Sequence, residues 1–110
     1  MPNFRTLMNQ LASINPAEHE SARASLLQMD EDVMDLLVAE FYAGMPEKLA
    51  VSLLEIIGEI GGYEALNLLG DVYYSRDTRP MLKAAARLAL LRNGDNLDPQ
   101  QVAKLRGDTV

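Results

Sequence analysis

Leu49-Ala50-Val51-Ser52-Leu53-Leu54-Glu55-Ile56-Ile57-Gly58-Glu59-Ile60-Gly61 is followed 33 residues later by Leu82-Lys83-Ala84-Ala85-Ala86-Arg87-Leu88-Ala89-Leu90-Leu91-Arg92-Asn93-Gly94. Both phrases read as apolar helices that stop at a glycine. A period in the low thirties marks an array of helix pairs, in which each pair needs its neighbours to bury its apolar face. At an offset of 32, Met34, Leu37, Phe41 and Tyr42 align with Leu66, Leu69, Tyr73 and Tyr74. The repeating unit is therefore a helix pair, which points to a binding surface more than to a catalytic pocket.

Seven helices follow from apolar spacing and punctuation. Phe4, Leu7, Met8, Leu11 and Ile14 form one stripe for the first. Asn15-Pro16-Ala17-Glu18 opens the second, with Asn15 as cap, Pro16 in the first turn and Glu18 placed to reach back as in a capping box. Asp30-Glu31-Asp32 opens the third, its acids favoured by the positive end of the helix dipole, and Gly44 with Pro46 stops it. The fourth, Pro46 to about Ile60, is apolar on most sides and should be the most buried. Gly61-Gly62 ends it, because glycine accepts the left-handed conformation of a C-terminal cap.

The fifth helix is expected from about Tyr63 to Ser75, the sixth from the Arg76–Pro80 turn to Asn93, and a short polar seventh from Asp98-Pro99. The chain from Gly107 onward is expected to fray. Short connections favour antiparallel neighbours. Gly58 and Gly70 fall inside helices, each costing about 1 kcal/mol relative to Ala, and close helix–helix approach is the expected compensation.

Composition agrees with an all-α domain. The 110 residues suit one domain, and 48% of them are apolar, too many for a disordered tail. Two Phe, four Tyr and no Trp leave the core to Leu, Ala, Ile, Val and Met, most of them good helix formers. Without cysteine there are no disulfides, thiolate metal sites or cysteine nucleophiles. The sequence shows no signal peptide and no run long enough to span a bilayer, and a cytoplasmic protein is expected.

The net charge of −6 is uneven: residues 1–47 carry −6, residues 48–75 carry −3, and residues 76–110 carry +3. An acidic chain is a poor general nucleic-acid binder, since phosphates need a basic surface for counterion release. The opposed ends make head-to-tail self-association, and hence a homo-oligomer, one partner class.

The turn and helix Asp77-Thr78-Arg79-Pro80-Met81-Leu82-Lys83-Ala84-Ala85-Ala86, ending at Leu90 and Gly94-Asp95, resemble a HEAT repeat of the bilin-lyase-like subtype. Ile57-Gly58-Glu59-Ile60-Gly61-Gly62-Tyr63-Glu64-Ala65-Leu66 resembles that family's helix-end signature more closely. The likeness covers residues 46–95 well and 16–45 loosely; Ala50 stands where a basic residue is usual, and Leu91 where the family tends to have Gly. It implies a short right-handed α-solenoid of antiparallel helix pairs, over 16–45, 46–77 and 78–106, with 1–15 as an N-terminal capping helix. Leu69-Gly70-Asp71-Val72-Tyr73 followed by Ala89-Leu90 also resembles the tetratricopeptide signature, although Leu82 and Asp77 stand where that pattern expects Ala and Gly. A generic helical bundle is the remaining alternative.

Few residues suggest chemistry. The single histidine, His19, lies between Glu18 and Glu20 and cannot build a two-histidine metal site or an evident Ser–His–Asp set. Asp30, Asp32 and Asp35 lack the mid-loop glycine and closing Glu of a calcium loop. Gly58-x-x-Gly61-Gly62 follows a helix, not the strand of a phosphate-cradling loop. No catalytic residue, cofactor or metal is expected.

Partner-binding candidates lie opposite the apolar stripes: Asn67, Asp71 and Tyr74 at i, i+4 and i+7 on the fifth helix, with Asp35 and Tyr42 at the equivalent places on the third. In HEAT arrays the second helix of each pair lines the concave face, so the resemblance implies an acidic groove with two tyrosines; otherwise this is a solvated face. A basic stripe, Arg79, Lys83 and Arg87, follows at i, i+4 and i+8 on the sixth helix. It either grips an acidic partner or keeps one face of a buried helix in water.

The leading expectation is a non-enzymatic protein-interaction scaffold. The alternatives are an accessory subunit of an enzyme or pigment-attachment system, a tetratricopeptide-like adaptor, or nucleic-acid binding through the basic stripe.

Overall fold

Local capping chemistry sets several helix boundaries. A computed structural model of the chain describes residues 3–29 and 32–107. Among these the protein is all-helical, with α1 Phe4–Leu11, α2 Pro16–Leu27, α3 Asp32–Ala43, α4 Glu47–Ile60, α5 Tyr63–Tyr74, α6 Pro80–Arg92 and α7 Pro99–Gly107. A single 3₁₀ turn, Gly94–Asn96, precedes α7. The Asp30 and Glu31 helix start lies outside the described residues, as does the expected fraying over residues 108–110.

Asn3 Oδ1 accepts from the Thr6 amide at 2.8 Å, and Asn15 Oδ1 accepts from the Ala17 amide at 2.9 Å, so both asparagines satisfy otherwise orphaned N–H groups. The expected capping box around Glu18 does not form. The Asn15 amide donates to Ser13 Oγ at 3.1 Å, and Glu18 stays in water. A reciprocal cap occurs instead at α7, where Gln100 N donates to Asp98 Oδ1 at 2.8 Å and Asp98 N donates to Gln101 Oε1 at 3.2 Å. Gly44, Gly61 and Gly62 have φ of 97°, 71° and 91°, the left-handed region that the two interhelix turns require.

The α1 stripe is shorter than its spacing suggested. Leu7, Met8 and Leu11 are buried, but Ile14 is fully exposed, at 100%. The helix has ended by then: Ser13 N donates to Gln10 O, and His19 Nδ1 donates to the Leu11 carbonyl at 2.8 Å. His19 thus terminates a helix, an ordinary structural role for a half-buried imidazole.

The largest fully buried side chains are Leu26, Leu37, Leu53, Leu54, Ile56, Ile57, Leu69 and Leu105. Four of the eight belong to α4, which buries Ala50 and Gly58 as well. α4 packs against α2, α3, α5 and, most extensively, α6. α1 packs on α2, α3 on α5, α5 on α6, and α7 on α6. Burying a Leu or Ile side chain contributes about 1.5–3 kcal/mol, so α4 is the largest single source of stabilisation.

The α4–α6 contact is close because Gly58 lacks a side chain. A Cβ at that position would lie 2.7 Å from Ala89 Cβ, inside van der Waals contact. Asn93 then joins the two C-termini, its Nδ2 donating to Gly58 O at 2.9 Å and to Ala89 O at 2.8 Å. Each of these bonds contributes about 0.5–1.5 kcal/mol net. Gly70, by contrast, has nothing within 4 Å of a Cβ, so close approach does not account for it.

Candidate functional site

α3 and α5 bring the acidic and tyrosine side chains together. Neither Asp32–Ala43 nor Tyr63–Tyr74 contains a Lys, Arg or His, so the paired surface carries no internal cation. On α5, Tyr63, Asn67 and Tyr74 share the outermost ridge. Glu64 and Asp71 face α3, while Leu66 and Gly70 face α7.

Of the residues expected to bind a partner, Tyr42 and Asp71 meet: the Tyr42 hydroxyl donates to Asp71 Oδ2 at 3.5 Å. Partial burial raises the Tyr42 phenol above its ordinary range, and the nearby Asp71 carboxylate, which also accepts its proton, adds to the shift. Asp35 pairs with Glu64, a residue the spacing argument overlooked. Hydrogen bonding to Asp35 raises the Glu64 carboxyl first, and the Asp35 charge and slight desolvation raise it further. These two carboxylates lie side by side with no cation supplied by either helix, although Arg5 pairs with Glu40 of α3 and Lys104 lies over the Tyr74 ring.

Tyr42 and Asp71 edge a groove of about 410 Å³ whose wall includes Phe41, Val72, Leu82 and Arg79. Arg79, the first member of the basic stripe, reaches Glu47 Oε2 at 3.4 Å across this groove. The acidic face and the basic stripe, separate in the sequence, therefore meet at one end of the molecule.

Asn67 and Tyr74 line a second groove, about 270 Å³, with Tyr63, Leu66, Gly70 and Leu105. The Tyr74 ring packs edge-on against Tyr73, with centroids 4.9 Å apart, and Lys104 Nζ of α7 lies 5.5 Å from its centroid. Four of the five expected residues thus divide between two grooves flanking the α5 ridge, and Asp35, beside Glu64, lines neither. Tyr63, 82% exposed, is the most accessible tyrosine and was absent from the sequence-based set. Its signal was available: Tyr63 and Tyr74 are eleven residues apart, three helical turns on one face.

The basic stripe does not act as one unit. Arg79 pairs with Glu47. Arg87 Nε donates to the Leu105 carbonyl at 2.8 Å, fastening α7 to α6. Lys83 is half-buried beside Ala84 and Arg87 at a shallow hollow near Gly107. The face that α6 turns outward is instead Met81, Ala84, Leu88 and Arg92, all exposed.

Among the described residues, no three His, Asp or Glu side chains gather as metal ligands, and no helix is long and apolar enough to cross a membrane. No protein-family model matches the sequence, and no curated protein or solved structure is significantly similar to it.

Proposed function

We propose that this protein is a non-enzymatic interaction module that presents the α3–α5 face to a protein partner. The carrying observation is that these helices expose Tyr42, Tyr63 and Tyr74 beside Asp35, Glu64 and Asp71, with no basic residue on either helix. Tyrosine supplies large contact area at low conformational cost, with a polar tip for hydrogen bonding. The carboxylates select for a partner surface carrying Lys or Arg, and the two grooves beside α5 offer apolar floors for its side chains.

The architecture we read behind this face is a short right-handed α-solenoid of the HEAT type. The contacts of α2 with α4 and α4 with α6, together with those of α3 with α5, support that reading. So does the 33-residue recurrence that places matching phrases on α4 and α6. In such an array binding needs no moving part: the helices hold the side chains rigidly, and affinity follows from their preorganisation.

The test is capture from native extract on immobilised protein, read by mass spectrometry, comparing wild type with Asp71→Lys plus Tyr74→Ala. Both positions are exposed, so helical content should be unchanged while the partner is lost. A partner enriched equally by both proteins would remove the α3–α5 face from consideration.

A further inference from the structure

The recurrence supplies an internal control for the outward face of α6. At an offset of 33, Met81, Ala84, Leu88 and Arg92 correspond to Lys48, Val51, Glu55 and Glu59 of α4. In both helices these positions recur at i, i+3, i+7 and i+11 and lie on the outer side. On α4 the side is charged and solvated: Lys48, Glu55 and Glu59 are exposed, Val51 is half-buried, and Glu59 is tied to Arg23. On α6 it is apolar along two helical turns, from Met81 to Leu88, before Arg92. Met81 is 54% exposed, Leu88 55%, and Ala84 lies exposed between them. Within one fold, the same place is written once for water and once for contact.

The charge around these two apolar residues is positive. Arg92 shares the face, in the segment from residue 76 onward that carries +3, while Arg79 at the start of the helix is paired with Glu47. The opposite character is found on α3. Its outer side shows Leu36, 41% exposed, with Ala39 and Ala43, flanked by Asp35 and Tyr42, and residues 1–47 carry −6. Each face has an apolar centre, and their charges are of opposite sign.

We propose that this chain associates with a second copy of itself, head to tail, with the Met81–Ala84–Leu88–Arg92 face of α6 seated on the Asp35–Leu36–Ala39–Tyr42 face of α3. The inference rests on the interaction reading above, since it names one occupant of the acidic surface. The contact joins two different patches, so each copy keeps one free end and association continues with concentration. Opposite charge orients the encounter and weakens as salt rises, while Met81, Leu88 and Leu36 supply the apolar centre.

Sedimentation of the full chain at low salt over a range of concentrations should give a mean mass rising above the 12.1 kDa monomer, and high salt should lower it. Leu88→Glu on α6 and Leu36→Arg on α3 alter exposed side chains, and unchanged melting curves would show that both variants fold. Each alone should sediment as monomer. Their equimolar mixture should give a dimer and nothing larger, because the native α3 of one variant meets the native α6 of the other while both remaining ends are altered. A monomeric wild type at every concentration overturns the proposal, as does either variant associating like wild type. A mixture that stays monomeric also overturns it, since a native α3 and a native α6 would then have met without binding. Leu88 lies outside the α3–α5 face, so Leu88→Glu should still capture a foreign partner in the extract assay. Retained capture with a monomeric wild type would sink self-association alone, whereas failed capture by every variant and wild type would sink the interaction reading itself.

Discussion

Gly58 and Gly70 are both helix-interior glycines, and they sit in opposite kinds of surroundings. Gly58 is buried where α4 meets α6, and a single added carbon there would lie 2.7 Å from Ala89 Cβ. Gly70 lines the groove between α5 and α7, where an added carbon would touch nothing within 4 Å. The same conformational penalty is therefore offset in one place by helix approach and in the other by nothing within the fold. The α4–α6 interface is optimised for packing. The α5 face is left open, with a groove and exposed tyrosines, as the proposed binding role requires.

The sharpest way to break this contrast is to fill Gly58. Gly58→Ala gains about 1 kcal/mol of helix propensity but overpacks the contact, and overpacking typically costs about 1–3 kcal/mol. The clash is with Cβ and Cα of Ala89, so no flexible side-chain end can swing aside. Any separation of the helices also strains the Asn93 bonds to Gly58 O and Ala89 O. We expect net destabilisation by about 1–2 kcal/mol in urea unfolding. Adding Ala89→Gly should recover part of the packing term despite its own propensity cost, a coupling that a double-mutant cycle measures directly. A Gly58→Ala protein as stable as wild type would show that α4 and α6 separate without loss.

The α4–α6 half of the contrast was legible in the sequence because burial and periodicity report on packing. The recurrence at 49–61 and 82–94 located the two helices, and the glycine inside the first copy correctly indicated close approach. Gly70 carried the same letter and misled, because one glycine does not state what lies opposite it. Helix ends were legible where an Asn, Pro or Gly acts alone. They were not where two side chains compete: Ser13 took the amide that Glu18 was expected to reach, and Ile14 fell outside the helix that its spacing extended.

The surface was the least legible part. Arg79, Lys83 and Arg87 have helical spacing, yet their separate partners, Glu47 for the first and the Leu105 carbonyl for the last, come from other elements that periodicity cannot see. The pairing of Asp35 with Glu64 and of Tyr42 with Asp71 likewise depends on how α3 meets α5. Spacing singled out Asp35, Tyr42 and Asp71 but not Glu64; only the fold determined which of them face each other.

Gly70→Ala examines the open side of the contrast and should have the smaller effect of the two glycine changes, with the opposite sign. With no clash to offset it, the substitution should stabilise the protein by up to about 1 kcal/mol, read as a rise in the urea midpoint at unchanged slope. The same methyl group projects toward the groove shared with Asn67 and Tyr74. If that groove takes part in binding, stability should rise while partner capture weakens. A destabilised Gly70→Ala would mean that α5 and α7 approach more closely than the open groove implies.

The smallest effect belongs to the carboxylate pair, and its sign is distinctive. Hydrogen bonding to Asp35 raises the Glu64 carboxyl in the folded protein relative to its ordinary range. The folded state therefore holds the proton more tightly than the unfolded chain does. Its stabilising contribution is present in acid, below the unfolded carboxyl range, and is lost as pH rises through the folded value. Once Glu64 is ionised the nearby Asp35 charge opposes it, and added salt screens that repulsion. Glu64→Gln keeps a hydrogen-bond donor for Asp35 and removes the like charge. It should raise the melting temperature slightly at neutral pH and low salt, with the gain fading in acid and in high salt. A gain independent of pH would show that Glu64 acts through packing and not through the charge it shares with Asp35. Because that charge belongs to the proposed binding face, the same variant should also weaken capture of a basic partner. Stability and binding would then move in opposite directions on α5, whereas filling Gly58 changes stability and leaves the binding side chains untouched.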